Sequence, residues 1–166
     1  MRIIFAAAIA SLAAAVPAHA QNFDGDRVLQ TFERADFLAT LAEIGAQATP
    51  VEGQTNLRIE FPNGLKADGV LMASDDNANE IDCYGTSILA SFSAPSDSNP
   101  EAIIEAINTY NYRQNFGRAF IDGEGGIKVR MYVISDGGIT MENYRRQIVL
   151  WTSSAEEFFG YLYGND

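Results

Sequence analysis

Apolar and polar positions change period several times along the chain, and each change marks an element boundary. Phe37, Leu38, Leu41 and Ile44 recur at helical spacing before Gly45, so a first helix is predicted over 31–45, with Thr31 and Asp36 both available as caps. Leu57, Ile59 and Phe61 then alternate with polar residues, and Pro62-Asn63-Gly64 forms a turn into a second strand-like run, LKADGVLMA. A polar loop, SDDNANE, leads into IDCYGTSILASFSA, where Ile88, Ala90, Phe92 and Ala94 point one way and Ser87, Ser91 and Ser93 the other. The apolar phase of Ile81 and Cys83 is lost across Gly85, which predicts a bulge or register shift there.

The second half is more sharply punctuated. Asn99 and Pro100 suit the cap and first position of a helix, and Glu101 faces the positive end of its dipole. Ile103, Ile104, Ile107 and Tyr110 give it an apolar face, and Gly117 is read as its stop. RAFID and IKVRMYVI follow as strands joined by GEGG. Thr140 then caps a last helix whose apolar positions Met141, Tyr144, Ile148, Trp151, Ala155, Phe158 and Leu162 alternate spacings of three and four. That seam predicts a long amphipathic helix lying across the sheet, with Phe159, Tyr161 and Tyr163 widening its apolar surface for the core or for a dimer contact. The order is α-βββ(β)-α-ββ-α, an α+β fold with an antiparallel meander sheet.

Residues 1–20 read as a cleaved secretory signal. Arg2 precedes the apolar run Ile3–Val16, and Ala18-His19-Ala20 places the cut after Ala20. The run is too short to span a bilayer, and no cysteine follows the cut to carry a lipid anchor. A periplasmic or secreted location is therefore expected, with residues 21–166 forming one domain and 21–30 loosely held.

Removing the signal leaves 10 basic against 22 acidic side chains, a balance that repels nucleic acid and anionic membranes. It also removes His19, the sole histidine, and with it any Ser-His-Asp or Cys-His arrangement. Cys83 has no partner for an internal disulfide and is expected to be a small buried hydrophobe. Asp75, Asn77 and Asn79 match early ligand positions of a calcium loop, but Glu80 and Thr86 break the pattern, so neither metal nor cofactor is expected. The glycines of GEGG and of Gly137-Gly138 complete no phosphate-binding motif.

Arg113, Arg118, Lys128, Arg130, Arg145 and Arg146 hold six of the ten basic positions after the signal. If GEGG pairs Asp122 with Ile127, Arg118 lies opposite Met131 on the face of Phe120 and Val129, where an arginine needs a carboxylate partner. An internal pair is the favoured reading, and recognition of a ligand's or partner's carboxylate the other.

Asn108-x-Tyr110-Asn111 followed by Phe116-Gly117-Arg118-Ala119-Phe120-x-Asp122 resembles the signature of YbjN-domain proteins. The resemblance extends over roughly residues 32–162 through the early helix, the polar loop and the last helix bearing Trp151. Tyr110 stands where the family commonly has tryptophan and Asn115 where it has a basic residue, and Cys83 lacks the second cysteine of many exported members. The resemblance implies a fold similar to type III secretion chaperones, a protein or peptide partner, a homodimer among the assemblies allowed, and no catalytic residues to carry over. Asn108, Tyr110, Asn111, Phe116, Gly117, Arg118 and Asp122 are the candidate binding positions, read as a joint between helix and sheet. A non-enzymatic interaction module is expected. The alternative is a small-ligand binder or hydrolase built on Arg118 and Asp122.

Overall fold

A computed structural model describes residues 23–96 and 98–164. The proposed signal lies outside them. In chain order the elements are β1 (Val28–Leu29), α1 (Arg34–Glu43), β2 (Gln47–Pro50), β3 (Leu57–Glu60), β4 (Lys66–Asp76), β5 (Ile81–Phe92), α2 (Pro100–Arg113), β6 (Arg118–Ile121), β7 (Ile127–Ile134), β8 (Ile139–Thr140) and α3 (Met141–Tyr163). This is the expected α+β order, with a short ribbon of β1 and β8 added.

Six strands form one antiparallel sheet in the order β2-β3-β4-β5-β7-β6. Strand alternation gives it a buried face, which carries Leu57, Ile59, Leu71, Ile88, Ala90, Val129 and Val133. The helices pack on that face: the Phe37 ring of α1 lies against Gly69, Tyr110 of α2 meets Phe158 edge-on, and Phe158 of α3 in turn meets Phe92. Every member of the predicted seam of α3 is buried, six of the seven of them completely. Its Tyr144 hydroxyl donates to Thr86 Oγ1 at 3.0 Å, and burial holds that phenol's pKa far above its ordinary value.

Local chemistry explains the helix ends. Asn99 Oδ1 accepts from the Ala102 amide at 2.8 Å, and Thr140 Oγ1 accepts from Asn143 at 3.1 Å, so both predicted caps form. The start of α1 differs. Its cap is Glu33, which makes no side-chain cap bond, and Asp36 sits buried inside the helix paired with Arg27. Gly45 does end this segment, at a φ of +74°.

Residues 23–30, expected to be loose, are docked. The Met141 amide donates to the Arg27 carbonyl and the Glu142 amide to the Gly25 carbonyl, so this strand segment satisfies free donors at the start of α3. Leu29 is buried there. No local pattern could have shown this, because the partner lies over 110 positions away in the chain.

The β4–β5 ladder keeps one register from Ala67↔Ala90 to Asp76↔Ile81, so Gly85 marks no bulge or shift. Ala73 and Asp82, on either strand near this point, adopt left-handed backbone. Gly85 instead lies beneath the Tyr132 ring, which a Cβ would overlap. The polar loop is shorter than expected, since β4 runs on through Asp76. Asp76 closes the turn by accepting from the Ala78 and Asn79 amides, and Glu80 pairs with Arg34 of α1. Asp76 and Glu80 are thus committed to the fold. Cys83 is fully buried beside the Ser74 hydroxyl, as expected of a small hydrophobe.

In the first turn of α3, Glu142 accepts from Arg145 Nε and Nη2 at 2.7 and 2.8 Å and from Arg146 Nε at 2.6 Å. The Arg145 bonds, then those of Arg146, bring its carboxyl down to about 2. A folded-state pKa below the unfolded value stabilises the protein above the ordinary carboxylate range, and that contribution is lost as pH falls from about 4.5 towards 2. Thermal unfolding followed across that window should therefore show Glu142→Gln with a shallower acid decline than the parent chain. Parallel declines would mean that the arginine contacts contribute nothing in solution.

Candidate functional site

The signature positions divide into two groups, and the division begins at the end of α2. That helix stops at Arg113, with extended backbone at Gln114, four residues earlier than Gly117. Gly117 serves a different purpose. A Cβ there would overlap the Tyr110 hydroxyl and come within 3.0 Å of Trp151 Cδ1, so the chain passes over two buried rings only because this position has no side chain.

Tyr110 is fully buried and shares a 2.9 Å hydrogen bond with Ser154 Oγ of α3, and burial raises its pKa. Asn111 uses both ends of its amide on one strand residue. Its Oδ1 accepts from the Ala119 N–H at 2.9 Å and its Nδ2 donates to the Ala119 carbonyl at 3.0 Å, which ties α2 to β6. Asp122 accepts from the Gly126 and Glu124 amides at 2.7 and 3.0 Å, bonds led by Gly126 that lower its pKa, and Lys128 lies 3.5 Å away. Tyr110, Asn111 and Gly117 form the joint between helix and sheet, and Asp122 closes the hairpin turn beyond it. Asn108 is exposed on α2, away from it.

Ile104, expected on the apolar face of α2, is also exposed, and Ala106 takes the buried position. The hairpin register departs from expectation in a way that matters more. Ile121 pairs with Ile127 and Arg118 with Arg130, one residue off the predicted match. The Asp122–Gly126 closure, with Gly125 at a φ of +84°, leaves a three-residue loop, and that signal was present in the sequence as D-G-E-G. A one-residue slip moves every side chain to the other face. Arg118 therefore lies on the face away from the helices, exposed, and makes no salt bridge among the described residues. The internal carboxylate pair expected for it does not form.

Arg118 lines a pocket of about 340 Å³ with Phe116, Arg130, Tyr132, Asn115 and Gln147. Phe116 is 45% exposed. Arg130 lies over the Phe120 ring, 5.4 Å from its centre. Asp122 does not line this pocket, so the two residues of the expected carboxylate and arginine site do not meet. Arg130 and Tyr132 were missed as partners because of the register.

The pocket also has Gln147 of α3 and the helix-facing Met131 in its wall, and the outer sheet face beside it has no layer over it among the described residues. Met72, Tyr132 and Ile134 are 36%, 44% and 57% exposed, and Val70, Leu89 and Phe120 of the same face are half-buried. A second groove of about 520 Å³ lies between the end of α3 and the β3–β4 turn, with Phe159 and Tyr163 in its wall.

The YbjN family profile, described as "Putative bacterial sensory transduction regulator", matches residues 70–163. The chain belongs to the YbjN family. The matched span of this YbjN-family chain includes the whole signature and its joint, together with the Arg118 pocket. No curated protein matches it in sequence.

Among solved structures, a chain of the heterodimeric ExoU–SpcU complex from the type III secretion system of Pseudomonas aeruginosa is similar to this YbjN-family chain over 74% of its length and 94% of that chain's, at 13% identity and a TM-score of 0.50. A chain of the HopA1–SchA chaperone–effector complex covers 74% and 86% at 8% identity and a TM-score of 0.47. Escherichia coli YbjN covers 71% and 88% at 14% identity and 0.43. The first of these bears out the chaperone-like fold that the family resemblance implied.

Proposed function

We propose that this chain is a non-enzymatic periplasmic or secreted interaction module that holds a protein or peptide partner on the open face of its sheet. The observation carrying this reading is that face itself. Met72, Tyr132 and Ile134 stand exposed on strands whose opposite side packs against the helices. Antiparallel sheets commonly leave one face to water, but such faces are then polar, and large exposed apolar groups grouped on one face favour contact with another molecule. Support also comes from the similarly folded chain of the ExoU–SpcU complex, which occurs there in a heterodimer. A homodimer through the same face is a second assembly of this kind. The export reading rests on the pattern of residues 1–20.

Pull-down from periplasmic extract, with the mass of the complex measured by light scattering, tests the reading. A stoichiometric partner is expected for the parent chain. Its loss is expected in Tyr132→Glu combined with Ile134→Glu, while the thermal midpoint stays close to that of the parent. Retention of the partner by the double variant, or a clean monomer in both cases, would rule this face out. Sequencing the N-terminus of the exported product should find Gln21 first, and an intact Met1 would refute export by cleavage.

A further inference from the structure

We infer that the Arg118–Arg130 pair is a carboxylate-binding site, and that the segment held on the open sheet face is acidic, with apolar residues interleaved. The inference rests on the interaction reading above and names the chemistry of the partner. Arg118 and Arg130 are directly opposite one another in the β6–β7 ladder. Like charges in that position repel and are destabilising without a counterion. Neither makes a salt bridge among the described residues, and on the same face Asp68 stands two strands away from Arg130, with Leu89 between them. Asp122 closes its own turn beside Lys128, and Glu142 is taken by Arg145 and Arg146.

The pair is also pre-positioned. Arg130 is steadied over Phe120, and both guanidinium groups border a pocket walled by Phe116 and Tyr132. Guanidinium offers a fixed fork of donors that matches a carboxylate with two bonds. Beyond the arginines, β7 presents Tyr132 and Ile134 on the same face at alternate positions. A partner with a carboxylate followed by apolar side chains at strand spacing fits that sequence of surfaces. The basic doublet stands out in a chain with 22 acidic and 11 basic residues, where an acidic partner would be repelled almost everywhere else.

The test uses the full chain and two fluorescein-labelled decapeptides, one alternating Glu with Tyr and the other Gln with Tyr, read by fluorescence anisotropy. The Glu peptide is expected to bind at least roughly tenfold more tightly at low salt, with the difference shrinking as ionic strength rises. Arg118→Gln combined with Arg130→Gln should abolish that preference while leaving the urea midpoint unchanged or higher, since it removes a repulsive pair. Arg113→Gln, an exposed charge outside the pocket, should retain it.

Equal binding of the two peptides would overturn the acidic partner. If Tyr132→Glu with Ile134→Glu then abolished both, the open-face reading would survive its loss. A preference that persists in the double arginine variant, or no binding of either peptide, would also overturn the inference. So would inorganic phosphate that binds alone more tightly than the Glu peptide and displaces it, because the site would then hold a free oxyanion.

Discussion

Trp151→Ala should cost about 3–5 kcal/mol of stability, measured as a fall in the urea midpoint at unchanged slope. The indole is fully buried at the centre of α3, meets Phe61 edge-on with ring centres 5.9 Å apart, and lies beneath Gly117. Truncation would leave a cavity bounded by α3, the β3 end and the α2–β6 segment, three parts of the chain with little freedom to close it. Trp151→Phe should cost much less. The indole Nε1 has no hydrogen-bond partner among the described residues, and a buried unpaired donor carries a penalty of about 1–3 kcal/mol that phenylalanine removes. If the alanine variant lost no more than the phenylalanine variant, the packing account of this residue would be wrong.

Gly117→Ala should destabilise by the upper part of the about 1–3 kcal/mol range typical of overpacking. The added methyl group would overlap the Tyr110 hydroxyl, and that hydroxyl cannot simply retreat, because its bond to Ser154 Oγ fixes it against α3. Moving the strand instead would strain the two Asn111–Ala119 bonds. The variant should therefore lose stability and, in amide exchange, lose protection at Ala119 before the β4–β5 ladder does. Uniform loss across the sheet would argue that the joint is not a separate local unit.

These two residues show how the sequence and the structure divide the information. Gly117 was legible as one position of the family signature, and its reading as a helix stop was reasonable from position alone. The helix ends at Arg113 because Gln114 is already extended, and the glycine is required by two rings, one from α2 and one from a helix that begins 24 residues later. Trp151 was legible as one of seven seam positions, all of which the fold buries. A seam is set by spacing within one helix, so a single sequence carries it in full.

Arg118 shows the opposite limit. Its role depends on which face of β6 it occupies, and a shift of one residue in the hairpin exchanges the faces. Reading the turn as a four-residue connection placed Arg118 opposite Met131 and inward. The three-residue closure at Asp122 and Gly126 places it opposite Arg130 and outward. Asp122 itself turned out to be a turn-closing residue, so the signature supplied one half of a pocket and not a catalytic pair.

The sequence by itself determined the order of the helices and the main sheet strands, the caps at Asn99 and Thr140, the buried seam of α3 and the alternation of the central strands. Each is a property of residues within a few positions of one another, governed by helix and strand periodicity and by the chemistry of free helix donors. The tertiary structure decided the docking of residues 23–30 on α3, the clearance required at Gly117, the pairing of Arg118 with Arg130 and the face left open to a partner. Those outcomes depend on registers and contacts between segments far apart in the chain, where one residue of slip reverses the answer and no local pattern records it.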